Sequence, residues 1–297
     1  MARVKGAKNI VQFCERRQIE TTATKDILLL TKERGCPLTY YNGLLNNQEN
    51  FLYWIANRHE QLQKTRNELA SLKEPTPRKG PKGPKDATFR KYKWYAERLL
   101  LLEAINNLEV FYKRTFIALG NVLHEFISAG KVKGAIDAKV LWSLTDDINV
   151  PSLIFENQLF HNIETINEAT KMLVGKIRYQ NKSHITRCIK AVFQIRHTLS
   201  HNSGLVTDID ATKFKILRFE IKPNEVIDPA SQNLSSAIFK FLRQEAKEFT
   251  DWLRSSTIEF LKGIRTNPGL QIPASKKEPL QRLLGGDDTI WNEIPWV

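Results

Sequence analysis

An all-α fold is expected from three features of this 297-residue chain. Apolar residues recur at three- and four-residue steps through most of its length. The 14 glycines and 12 prolines gather between those stretches rather than inside them. The one β-like excursion is short, over residues 214–221. A chain of this size buries a core without a disulfide or structural metal. Cys14, Cys36 and Cys188 are odd in number and far apart, which argues against a secreted disulfide framework and a cysteine zinc site. A reducing cytoplasm is the expected setting. With no leader-like apolar region at the N-terminus and no 18-residue apolar run, neither export nor a membrane partner is expected. Lys and Arg total 45 against 32 Asp and Glu, a net charge of +13, and that imbalance favours a polyanion such as RNA.

Two short amphipathic pieces are expected over residues 9–34, the second carrying Ile27, Leu28, Leu29 and Leu30 and stopping at Gly35, Cys36 and Pro37. Residues 46–73 read as a longer polar helix with Phe51, Trp54, Ile55, Leu62, Leu69 and Leu72 on its apolar face. An N-terminal helical region thus occupies residues 1–74. Residues 75–93 form a linker rich in Pro, Gly and positive charge, because its prolines cannot continue a helix. Arg78, Lys79, Lys82, Lys85, Arg90, Lys91 and Lys93 stand there against one acidic residue, among or just before Phe89, Tyr92, Trp94 and Tyr95. Cations for phosphates and flat rings for bases are what single-stranded RNA requires. The same residues also fit a solvated linker leading into a helix.

The main helical domain is expected over residues 94–265. Residues 95–129 are its most apolar stretch and belong at the centre of a bundle, ending at Gly130. Helices follow over 135–146 and 152–178, the latter opened by Pro151. Another runs from Ser183 to Gly204. After the β-like excursion, a long amphipathic helix covers 231–265. The tail, 266–297, carries Trp291, Ile294, Pro295 and Trp296, too apolar for a free end, and is expected to dock on the chain's own surface.

The chemistry concentrates in the helix from Ser183 to Gly204, whose end reads Arg196-His197-Thr198-Leu199-Ser200-His201-Asn202. Ile185, Cys188, Ile189, Val192, Ile195 and Leu199 share one apolar side. Arg196 sits at its edge, where a charge needs a partner or ligand. His197 and His201, four residues apart, share the polar flank with Lys190 and Gln194. Arg196 and His201 stand roughly 140° apart around an ideal helix, so a site shared across a twofold homodimer is expected to bring both to one substrate. His201 falls in the last turn, beside the negative end of the macrodipole, a setting suited to proton transfer.

The string RHTLSHN resembles the R-x4-6-H motif of HEPN domains, in which a polar residue often follows the arginine; His197 takes that place. The resemblance spans roughly residues 90–265. It implies a HEPN-like helical bundle and a metal-independent endoribonuclease, acting as a homodimer in toxin, antiviral defence or RNA-processing systems. No cofactor or metal is called for, because RNA carries its own nucleophile, the 2′-OH. Arg196 would hold the scissile phosphate, His201 would act as general acid or base, and His197 would orient or assist. Lys190 and Asn202 would join the basic 78–93 residues in binding RNA. A regulatory antitoxin, protein or RNA is an implied partner. HEPN toxins paired with nucleotidyltransferase antitoxins carry a Tyr two residues after the histidine, where this chain has Ser203.

Two other readings compete. One is an inactive HEPN-like RNA-binding or dimerisation module with Arg196 in a buried ion pair. The other treats His197 and His201 as a zinc pair, but the string lacks the glutamate base of HExxH and no third ligand is apparent. His59, His124, His161 and His184 stand alone and are assigned packing or surface roles. Without a Walker loop, GxGxxG or GxSxG, nucleotide-dependent and acyl-transfer chemistry have no support.

Overall fold

Pro37 opens a helix instead of closing one. In the computed structural model, which describes residues 36–71, 86–132, 150–229, 233–264 and 271–297, helix α1 spans Pro37–Ser71 and starts earlier than the expected residue 46. Proline's missing N–H and fixed φ suit a first turn. The buried stripe is Tyr41, Leu45 and Gln48, continued by the partly buried Leu52. Phe51 and Trp54 lie off that stripe. They are 46% and 61% exposed and stack on each other at 6.1 Å, which corrects their expected place on the apolar face. The pieces expected over 9–34 and 135–146 lie outside the described residues, as do Cys14, Arg78, Lys79, Lys82 and Lys85.

Helix α2 spans Asp86–Leu123. The expected linker therefore does not extend to residue 93. Its last proline is Pro84, and beyond it nothing in the sequence blocks a helix. An aspartate at the start also suits the positive end of the helix dipole. As expected, the apolar stretch takes the centre: Leu101, Ile105, Leu108, Tyr112, Phe116, Leu119 and Leu123 are buried, and α2 touches most of the other helices.

The expected 152–178 helix is two helices, α3 (Val150–Glu156) and α4 (Ile163–Val174). Asn162 caps α4 by accepting the Glu164 N–H at 2.9 Å, so the chain must leave helical geometry just before it. Gly175, at φ +74°, ends it. Helix α5 (His184–His201) follows, then α6 (Asp208–Ile216) and α7 (Leu234–Ile264).

The β-like excursion over 214–221 is not a strand. Thr207 and Asp210 form a reciprocal capping box that starts α6, and Phe214, Lys215 and Ile216 complete that helix. Arg218, at φ +67°, turns the chain away. Among the described residues the sole β pairing is the isolated bridge between Leu205 and Val226. The fold is thus all-α. No helix among the described residues is long and apolar enough to cross a membrane.

The tail docks on its own chain, as expected. Helices α8 (Lys277–Leu284) and α9 (Asp288–Trp291) bring Leu280, Leu284, Trp291 and Ile294 into the core. Backbone bonds between Val297 and residues 272 and 274 close the end.

One buried acid makes stability depend on pH. Glu245 on α7 accepts the Tyr179 hydroxyl at 2.8 Å and lies 3.4 Å from Arg178; Tyr179 in turn meets the Tyr112 hydroxyl at 2.5 Å. Burial, only partly offset by Arg178 and the Tyr179 hydrogen bond, pushes its carboxyl up to about 7 from an ordinary 4.5. Between those values the folded state holds more protons than the unfolded chain, so stability falls as pH rises through that window and levels off above it. The loss should reach about 3 kcal/mol. Glu245→Gln keeps the neutral shape and should flatten the slope. Urea melts of both proteins at pH 5 and pH 8 check this, and parallel slopes would refute it.

Candidate active site

Helix α5 begins where Ser183 accepts the Thr186 N–H at 3.2 Å. It ends where Gly204, at φ +89°, returns its N–H to Thr198 O at 3.0 Å. A side chain at Gly204 would meet Ile227 O at 3.1 Å, so glycine fits for both conformation and space. Ile189, Val192, Ile195 and Leu199 are buried as expected, together with Phe193 and Thr198, whereas Ile185 and Cys188 are half-buried.

Three ties hold the last turns of α5. Arg98 on α2 donates to Leu199 O at 2.5 Å, occupying a carbonyl that the helix end leaves without an internal partner. Gln194 and Asn202 donate to Asp210 Oδ1 and Oδ2 at 2.8 and 2.9 Å, fastening α5 to α6. Burial pushes the Asp210 carboxyl up, but the hydrogen bonds from Thr207, Asn202 and Thr198 outweigh it and hold the group below its ordinary value. On the same polar flank Lys190 pairs with Glu164 of α4 at 2.8 Å. That flank of α5 therefore faces both α4 and α6.

An open cavity of about 760 Å³ forms there, within the size range of about 300–1,000 Å³ common to ligand sites. Lys190, Phe193, Gln194, Arg196, His197 and His201 line it from α5. Residues 161–164 bound it on one side, and Lys213, Ile216 and Leu217 on another. Arg196, His197 and His201 therefore meet on one cavity of one chain, and the angular separation around α5 does not by itself call for a second chain.

Arg196 is half-buried, and its Nε donates to Asn106 Oδ1 at 2.5 Å. Its partner is a neutral amide from α2; among the described residues no carboxylate pairs with it, and the buried ion pair of the inactive-module reading is not what holds it. His197 and His201 are exposed, with ring centroids 4.7 Å apart. Partial burial, then the positive charge of His201, Lys213 and Arg196, pushes His197 below its ordinary pKa against the pull of Asp210. Near neutrality its ring is uncharged and can accept a proton.

The other expected RNA-binding residues are placed unevenly. Lys190 reaches the cavity, already paired with Glu164. Asn202 is engaged by Asp210 and acts in holding the helix end. Lys93 lies on α2, 3.7 Å from Glu97. Arg90 and Lys91 fall in the first turns of α2. Sequence reasoning missed Asn106, Lys213 and His161. His161, expected in a packing or surface role, lines the cavity. Nothing in the local sequence marks these residues, because each comes to the site from another helix or loop.

Among the described residues no group of three or more His, Cys, Asp or Glu is arranged to hold a metal ion. The fold and site define an all-helical protein with a cationic, histidine-bearing cavity. In comparisons with known proteins, no family model matches the chain, and neither does any curated protein or solved structure.

Proposed function

We propose that the chain is a metal-independent endoribonuclease of HEPN type whose site is the cavity on α5. The observation that carries this reading is the convergence of Arg196, His197 and His201 on one cavity that also holds Lys190 and Lys213. Its walls suit an anion flanked by proton-transfer groups. In RNA the 2′-oxygen attacks the adjacent phosphorus and the P–O5′ bond breaks. The protein must move one proton off the 2′-OH, supply one to O5′ and stabilise the extra charge on phosphate. Imidazoles perform the first two tasks and a guanidinium the third. Arg196, set by Asn106, holds the phosphate oxygens; His201 moves the proton; neutral His197 orients its neighbour. In this reading the basic residues of 78–93 guide the strand, and the resemblance of the motif to HEPN domains is what supports a role as an RNA-acting toxin or antiviral defence enzyme.

The test is incubation of purified protein with mixed single-stranded RNA in EDTA, followed by mapping of new ends. The expected products carry 2′,3′-cyclic phosphate and 5′-hydroxyl groups, and DNA, which lacks the 2′-OH, remains intact. Cleavage that EDTA abolishes and magnesium restores would overturn the mechanism. Tight RNA binding with no new ends would leave a binding module instead.

A further inference from the structure

His161 enters the cavity from the segment before α4, apart from the two histidines of α5. Its Nδ1 lies 3.3 Å from Glu109 Oε2, and the other oxygen of that carboxylate accepts the Phe160 backbone N–H at 3.2 Å. The carboxylate thus grips both the ring and the backbone beside it. A ring held through Nδ1 has a set orientation and presents Nε2 to a ligand. The His161 side chain is 36% exposed and Glu109 15%, so the ring reaches solvent while its support is largely covered.

Glu109 stands three residues after Asn106 on α2, and residues at that spacing share a helix face. Asn106 holds Arg196. One face of α2 therefore seats both the guanidinium assigned to the phosphate and the imidazole of His161. An in-line displacement at phosphorus sets the entering and leaving oxygens on opposite sides, and one imidazole cannot serve both at once. The cavity offers imidazoles from two separate segments.

Building on the ribonuclease reading of this cavity, we infer that His161 is a catalytic residue, the general acid for the leaving O5′, with His201 as the base for the 2′-OH. As the 2′-oxygen bonds to phosphorus, its proton passes to His201. As the P–O5′ bond breaks, its electron pair stays on O5′, which takes the proton from His161. One histidine gains a proton and the other loses one, so the charge of the protein is unchanged. Glu109 is the positioning residue for that acid.

The test uses a single-stranded RNA oligonucleotide cleaved at a mapped site and its counterpart with sulfur in place of the bridging O5′. A thiolate departs without protonation. His161→Ala and His161→Gln should lose about 10²–10⁴-fold in rate on the oxygen substrate, less than tenfold on the sulfur substrate, and the high-pH limb of the wild-type rate profile. Glu109→Gln, which still accepts the Phe160 N–H, should fall in the same direction by a smaller factor on oxygen alone. Equal losses on both substrates would make His161 structural and overturn the inference while leaving the ribonuclease reading intact; an unimpaired His161→Ala would do the same. A wild-type protein that cleaves neither substrate would overturn both.

Discussion

Arg196→Ala and His201→Ala should each lower the single-turnover rate of RNA cleavage by about 10²–10⁴-fold while leaving the fold intact. Neither residue belongs to the core. His201 is exposed, and Arg196 is half-buried with a side-chain hydrogen bond to Asn106, so truncation removes chemistry rather than packing. Arg196→Lys should recover only part of the loss. A lysine keeps the charge but not the planar fork that grips two phosphate oxygens at once. His197→Ala should cost less than either, because in this reading its ring orients His201 and takes up no proton in the reaction itself. Rates from rapid mixing, with circular dichroism as the control for folding, decide the matter. Near-wild-type cleavage by both alanine variants would make the motif structural.

Trp291→Ala should destabilise the protein by about 3–5 kcal/mol, the usual cost of removing a fully buried tryptophan. Trp291 has no exposed surface. Its indole N–H donates to Gly285 O at 2.9 Å, and its own carbonyl accepts the Trp296 indole at 2.8 Å. The ring presses on Gly286, where the backbone has φ +97° and a side chain would come within 3.1 Å of the indole nitrogen. Truncation therefore opens a cavity and strips Gly285 O of its partner. The urea midpoint should drop with the slope unchanged. A shift worth under 1 kcal/mol would mean that the tail is held mainly by Leu280, Leu283 and Leu284.

The helical character of this chain, its central helix, the apolar face of α5 and the inward docking of the tail were all readable from residue spacing, because each depends on neighbours within a few turns. The motif from Arg196 to His201 also stood out within six consecutive residues, but its spacing pointed to a site shared by two chains rather than to one cavity of one chain. Where local signals competed, spacing misled. The apolar-rich stretch over 214–221 looked like a strand, but the capping box at Thr207 starts a helix that takes in Phe214. Phe51 and Trp54 fell at helical steps, yet the buried stripe of α1 runs through Tyr41, Leu45 and Gln48.

The rest of the site came from residues far away in the chain. Asn106 is 90 residues from the arginine it holds, and Glu109 is 52 from His161. Only the packing of α2 against α4 and α5 brings them together. The same packing turned three side chains spread around one helix into the lining of one cavity. An isolated helix has no walls; residues 161–164 and the end of α6 supply them on the polar flank of α5, where Lys190 meets Glu164 and Gln194 meets Asp210. Helix periodicity is a property of neighbouring residues, whereas a site with walls requires contacts between elements that the linear order keeps apart.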